Sequence, residues 1–398
     1  MNLFFEEIDV TEQVGKEQLL EQSVAGFFKV FNASPGGMCL TEHSVIIEIN
    51  NTFESLFGYN REEALGQTNF TLGTVDSSEL LRIGEILKAN GKLLNEEMAG
   101  RHKDGHKVYS LVTTLPFEIG GRQFMLTSFN DITRIKEQNN IIVTQHKDIF
   151  DSVNYAKRIQ EALFTPKEQI DKLLPKNFIL LKPKAVVTGD FYWVEKCKDK
   201  IYVAAADCTG HGVPGALLSI IGHNLISKSF IENENARPCD ILNALSLGVY
   251  RTLRQNSNSW GVKDGMDISV ISIDEKNGVL EFAAARQPVY RVRHNELTKL
   301  VPDRFPIGIH SGHHLQKFNN QQIQIQRGDT IYLFTDGYSV QFGGPERKKF
   351  TRMGFQKLLL SIQEYSMEEQ KLILDKKIEE WKGDSEQIDD IMVIGIRV

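Results

Sequence analysis

From Arg134 to Thr165 the chain contains neither glycine nor proline, although 31 glycines and 11 prolines occur among its 398 residues. Those two residue types end or kink helices, so their absence over such a stretch predicts one long helix. On either side the pattern changes to short apolar runs separated by turn residues. A helix so placed divides the chain into two strand-rich regions, each needing its own core, and the length suffices for two or three domains. Ile135, Ile142, Ile149, Ala156 and Leu163 recur every seven residues, the spacing of a coiled-coil seam. The companion positions Gln138, Gln145, Ser152 and Ile159 are mostly polar, which predicts a weak parallel homodimer. The same pattern also fits a connector packed on one domain.

Bulk properties exclude several classes. With 41% hydrophobic and 25% charged residues, the composition is that of an ordinary globular protein. The net charge of −6 gives no basic field for nucleic acid. Cys39, Cys197, Cys208 and Cys239 show no CxxC spacing, which argues against a disulfide framework or a structural zinc site and fits a reducing cytoplasm. No apolar run approaches the roughly 20 residues that span a bilayer, and "MNLFFEEIDV" has no basic leader, so neither a membrane nor secretion is expected.

Residues 1–27 read as an amphipathic helix, with Val14, Leu19, Leu20, Val24 and Phe27 spaced along it. Over 28–133, "MCLTEHSVIIEIN" reads as two strands around a turn, and "NTFESLFGYNREEALG" as short helices broken at Gly58 and Gly66. Further strands follow, with turns near Asp104-Gly105 and Gly120-Gly121. Through "NNTFESLFGYNREEALGQ", "HKDGHKVYSL" and "NDITRIKE" this stretch resembles a PAS sensor domain. Photoactive flavin relatives need a cysteine after the "GY" segment, and "LGQTNFTLG" has none. His102 and His106 lie in a polar turn that reads as a solvated loop rather than a haem site. No PAS ligand is assigned.

Residues 134–173 form the helical linker, and from 174 to 398 strands dominate, with a "DEKNGV" turn after "ISVISI" and an "RGD" turn between "QIQIQ" and "TIYLF". Two helical stretches interrupt them: "GALLSIIGHNLISKSFI", with Leu217, Ile221 and Leu225 on one face, and "MEEQKLILDKKIEEWK". Stacked antiparallel sheets covered by helices, an α+β architecture, fit this order. "DFYWVEKCKDKIYVAAAD" begins and ends with aspartate, and a hairpin centred on Lys198 and Asp199 would set Asp190 opposite Asp207. Like charges so placed destabilise a sheet unless a cation lies between them. Asp336 ends another strand and Asp389 and Asp390 start the last one, so the acids gather at strand ends rather than on a solvated helix face. Oxygen donors without a Cys or His cluster point to Mg²⁺ or Mn²⁺, not zinc.

"TGDFYW", "ADCTGHGVPGA", "FTDGY" and "DDIMVIGI", in that order, resemble the metal-dependent PPM phosphatases in their stage II sporulation protein E branch. The resemblance implies an αββα sandwich of antiparallel sheets flanked by helices, and a two-ion site. It makes Asp190 and Asp207 the catalytic acids nearest both ions, with Asp336 and Asp389 completing one shell, and adds the backbone carbonyl of Cys208. Asp390, where many eukaryotic relatives carry asparagine, is implied as a supporting or weak ligand. The phosphate-gripping arginine of those relatives has no recognisable counterpart, so the metals themselves are expected to position phosphate. The implied function is a sensor-regulated serine/threonine phosphatase in which metal-activated water attacks phosphorus. The implied partner is a phosphorylated anti-sigma-factor antagonist in a bacterial partner-switching pathway.

The residues leave other readings to weigh. A phosphate loop fails because no Gly-Lys-Ser or Gly-Lys-Thr follows the glycines. Cys208 reads as a turn residue rather than a nucleophile, since acids surround it. His211 reads as packed within its glycine turn, with a general-acid role as the alternative. Asp264 and Asp267 fit either a third metal contact or a surface turn. A catalytically weak phosphatase-like scaffold, or a phosphatase of small metabolites, is the rival function.

Overall fold

The structure, a computed structural model, describes residues 10–233, 236–255, 264–308 and 315–398. The chain divides into two units, Met1–Lys147 and Asp148–Val398, with the boundary inside the long helix read from the glycine-free stretch. Among the described residues no helix is long and apolar enough to cross a membrane.

In the first unit α1 (Val10–Ala33) continues past the 1–27 span, whose first nine residues lie outside those described. β1 (Gly37–Glu42), β2 (Val45–Ile49), α2 (Asn51–Phe57), α3 (Arg61–Ala64), α4 (Leu80–Asn90), β3 (Leu93–Arg101), β4 (Lys107–Ile119) and β5 (Arg122–Asp131) follow. The strands form one antiparallel sheet in the order β2-β1-β5-β4-β3. Buried Asn50 fixes the chain's return to this sheet: its Oδ1 accepts from Met38 N and Phe53 N, and its Nδ2 donates to the Phe31 and Gly36 carbonyls. All four of its hydrogen-bonding positions are thus filled. Phe53, Phe57 and Phe129 pack together in the core, beside a cavity of about 380 Å³ lined by Asn69, Met98, Val112 and Thr127 among others. His102 and His106 are outside that cavity, stacked on each other in the turn between β3 and β4 and sharing Asp104.

The glycine-free segment is a single helix, α5 (Thr133–Leu163), followed by α6 (Lys167–Leu173). Ile135, Ile142 and Ile149, three members of the seven-residue repeat, are exposed on it.

The second unit continues with β6 (Asn177–Lys182), β7 (Phe191–Cys197), β8 (Lys200–Cys208), α7 (Gly212–Glu232) and α8 (Pro238–Thr252). Next come β9 (Met266–Asp274), β10 (Val279–Ala285), β11 (Val289–Arg293), β12 (Glu296–Leu300), β13 (Gln321–Gln324), β14 (Thr330–Phe334) and α9 (Gly337–Val340). A two-residue ribbon of β15 (Phe342–Gly343) and β16 (Lys348–Lys349), then α10 (Arg352–Ser361), α11 (Met367–Lys382) and β17 (Ile391–Arg397), complete it. Two five-stranded sheets result, β13-β10-β9-β8-β7 and β12-β11-β14-β17-β6.

Three apolar clusters fill the spaces between four layers. Phe191, Trp193, Ala204 and Ala206 join Leu218, Ile226, Leu242 and Leu245 of α7 and α8. Val194, Val203 and Ala205 meet Ile331, Leu333, Met392 and Ile394 between the sheets. Phe178, Tyr332 and Val393 meet Leu359, Leu374 and Ile378 of α10 and α11. Alternate residues of β8 therefore serve different cores, and each fully buried aliphatic side chain contributes about 1.5–3 kcal/mol. This is the αββα sandwich, with β-strand faces following the two-residue period.

Three details depart from the sequence reading. α8, the short α9 and α10 add to the two helices read there. The "RGD" turn joins strands of different sheets, because β13 pairs with β10 while β14 pairs with β11 and β17. On α7 the buried face carries Leu218, Ser219, Gly222 and Ile226, whereas Leu217 is 59% exposed. That helix is apolar on most sides, and close packing selects the face with small residues: a Cβ on Gly222 would lie 2.7 Å from Met266 Cε.

Candidate active site

β7 and β8 turn at Lys198-Asp199, with Lys198 at φ 54°, and their register puts Phe191 opposite Ala206. Continued one step, it sets Asp190 across from Asp207, and the β8–β9 register sets Asp207 across from Asp267. By the two-residue alternation these three acids all face the opposing sheet. There Asp336 follows β14 as the cap of α9, and Asp389 and Asp390 lead into the neighbouring β17.

Backbone close approach makes this convergence possible. A Cβ on Gly337 would collide with the Asp390 carbonyl, and one on Gly189 would lie 2.7 Å from the Gly210 carbonyl. Only glycine lets those loops touch. Asp390 accepts Lys184 N at Oδ1 and Gly189 N at Oδ2, both at 2.7 Å. Both its oxygens thus hold the loop that presents Asp190. Thr335 Oγ1 donates to Asp190 Oδ2 at 2.7 Å and accepts Met392 N at 2.9 Å, tying the two sheets together at the acid.

The acids disturb one another. Burial, then the Asp207 charge, raises the Asp190 carboxyl well above the ordinary range. Asp207 is pushed up to about 8 by burial first and then by Asp336, Asp389 and Asp267. Asp267 is pushed up to about 6 by burial, against the opposing Arg286 guanidinium. Burial also raises Asp389. Such a cluster of carboxylates carries more negative charge than the Arg286 and Arg352 guanidinia beside Asp267 offset, and its all-oxygen donor set suits a hard divalent cation. The Cys208 carbonyl lies toward Gly189, while its thiol packs under α7 and is raised well above its usual value by burial, which makes it a poor nucleophile.

The remaining sequence candidates separate. Asp267 joins the site, whereas Asp264 is exposed and gives its backbone carbonyl to Gln255 Nε2. His211 is exposed rather than packed in its turn, with Nε2 2.9 Å from Lys184 Nζ, because Gly210 and Gly212 at positive φ turn the chain outward there. Among the described residues, a trio of metal-ligating atoms within 4.8 Å of one another occurs at His102, Asp104 and His106, so the aspartates of the sandwich stand farther apart. Sequence reasoning missed Arg286, Gln287 and Arg352, which line one cleft with Asp207, Asp267 and Asp336. No spacing signal links residues so far apart in the chain.

A family model described as Stage II sporulation protein E (SpoIIE) matches residues 198–398, half of the sequence, and the chain belongs to that family. A PAS domain model matches residues 35–134. Asp190 precedes the matched phosphatase span, so its place rests on the strand register. Phosphoserine phosphatase RsbU of Bacillus subtilis (strain 168) is 25% identical over 197 residues, 48% of this chain and 54% of that protein. The chain thus spans about half the length of the curated relative it matches. The solved SiaA-PP2C domain of Pseudomonas aeruginosa is 30% identical, with a TM-score of 0.59, covering 64% of this chain and 98% of that domain.

Proposed function

We propose that the chain is a metal-dependent phosphatase of phosphoserine or phosphothreonine in proteins, regulated by its PAS domain. The observation that carries this reading is the convergence of Asp190, Asp207, Asp336 and Asp389 at one end of the sandwich, with Asp190 and Asp207 raised by burial and mutual repulsion. Asp190 and Asp207 would lie nearest two divalent ions, Asp336 and Asp389 would complete one shell, and the Cys208 carbonyl would add an oxygen. Mn²⁺ or Mg²⁺ bound there supplies Lewis acidity and a water of low pKa for in-line displacement at phosphorus. Thr335 and Asp390 hold Asp190 in place, and exposed His211 is the candidate group to serve the leaving serine or threonine oxygen.

The named activity of the RsbU relative supports phosphoserine as the group hydrolysed, and the family resemblance supports a phosphorylated anti-sigma-factor antagonist as its carrier. The exposed isoleucines of α5 support a parallel homodimer that carries the sensor's state. The test is hydrolysis of an aryl phosphate and of a phosphoserine peptide with Mn²⁺, Mg²⁺ or chelator, beside Asp207→Asn. Metal-dependent turnover that the variant loses, with its circular dichroism unchanged, is the expected result. Turnover retained in the variant would remove the metal assignment, and Mn²⁺ binding without turnover would favour the scaffold.

A further inference from the structure

Resting on the phosphatase reading, we propose that Arg286 and Arg352 form a guanidinium pair that grips the substrate's phosphoryl oxygens beside the metal acids. Both line the cleft that also contains Asp207, Asp267 and Asp336. They come from segments remote in sequence, the β10–β11 loop and the first residue of α10.

Each arginine is set by an unusual backbone. Arg286 itself takes φ 59°, held by its N–H to the Asp303 carbonyl at 2.8 Å. Arg352 follows Thr351, a β-branched residue at φ 74° whose N–H bonds the Ser339 carbonyl at 2.8 Å. Left-handed backbone at non-glycine residues, above all at a β-branched one, persists where surrounding contacts hold it. Here the anchoring contact of Thr351 is to α9, the helix capped by Asp336.

Charge and hydrogen bonding both leave room for an anion. Two divalent ions would balance Asp190, Asp207, Asp336 and Asp389, so a phosphoryl dianion needs further positive charge. Of the acids named as lining the cleft, Asp267 alone lies outside that set of four, with Arg286 Nη1 3.6 Å from Asp267 Oδ1. That long contact aligns Arg286, and among the described residues its other N–H groups take no side-chain hydrogen bond. Guanidinium presents paired donors that match phosphoryl oxygens. Beside Arg286, Gln287 is 5% exposed; its Nε2 is bound to the Phe334 carbonyl while its buried Oε1 has no partner among the described residues. An unpaired buried acceptor lining the cleft calls for a donor, such as a water that enters with the bound group. The metals therefore do not position phosphate alone.

The experiment uses the full chain loaded with Mn²⁺ and measures KM and kcat for p-nitrophenyl phosphate and for a phosphoserine peptide, inhibition by inorganic phosphate, and Mn²⁺ binding by calorimetry. Arg286→Ala and Arg352→Ala should each raise KM and the phosphate inhibition constant about tenfold. Mn²⁺ affinity should stay within about twofold, and Arg286→Lys should recover only part of the loss because a single ammonium lacks the paired donors. Unchanged phosphate inhibition in the double variant, with Mn²⁺ binding intact, would overturn the pair alone. A KM raised only for a phosphopeptide would also overturn it, assigning the arginines to the partner's surface. Absence of Mn²⁺ binding in the unaltered protein would overturn the phosphatase reading and this proposal together.

Discussion

Asp390 accepts the backbone N–H groups of Lys184 and Gly189, and Gly189 immediately precedes Asp190. Removing it strands two donors, one of them fully buried, at a cost of about 1–3 kcal/mol. Asp390→Ala is therefore expected to lower the urea midpoint and weaken Mn²⁺ binding together, readable by denaturation and calorimetry on one preparation. A lost midpoint with unchanged Mn²⁺ affinity would mean that the loop does not set Asp190. The neighbouring acids make a separate, pH-dependent prediction. Asp207 sits near 8 in the folded metal-free protein against an ordinary 3.8, so the unfolded chain releases its proton first as pH rises. The metal-free fold loses stability across that window, and a bound cation replaces the protons. The gap between melting temperatures with and without Mn²⁺ should widen from about pH 5 to about pH 8. A constant or narrowing gap would contradict a metal held by these carboxylates.

Strand alternation and turn chemistry explain why much of the architecture was legible. Val203, Ala204, Ala205 and Ala206 are all buried, which hides the alternation, yet the flanking Lys198-Asp199 turn fixes the hairpin register and hence the facing of Asp190 and Asp207. Asp336 and Asp389 were legible as acids at the ends of apolar strands. Arg286, Gln287 and Arg352 were not, because their meeting depends on how the β10–β11 loop and α10 fold over the cleft, a long-range event with no local period. The orientation of α7 was hidden for a related reason: apolar residues surround it, and the fit of Gly222 against Met266 and Phe191 decides the buried face. On α5 the opposite holds. Ile142 and Ile149 are 49% and 64% exposed, so their seven-residue spacing reports a face with no cover within the described chain. Replacing both with glutamine should shift sedimentation toward monomer and change turnover; a monomer in the unaltered protein at every concentration would remove the dimer proposal.

The longest-range consequence lies where α5 ends. Buried Gln160 donates to the Thr188 carbonyl at 2.6 Å and to Ser219 Oγ at 2.8 Å, and accepts Thr188 N at 3.1 Å. Thr188 Oγ1 in turn accepts the Asp190 N–H at 2.9 Å. Gln160→Ala should raise the Mn²⁺ concentration for half-maximal turnover about tenfold, the scale typical of groups that orient a ligand, with saturating Mn²⁺ restoring kcat. A titration in which kcat falls and the Mn²⁺ requirement stays fixed would show that Gln160 acts on another step. Were that titration to come out as expected, the helix would act as a dial on cation demand rather than an on–off catch: a shift of α5 would be almost silent in a cell replete with manganese and decisive in a starved one. One signal could then produce two outputs, according to the ion supply it meets.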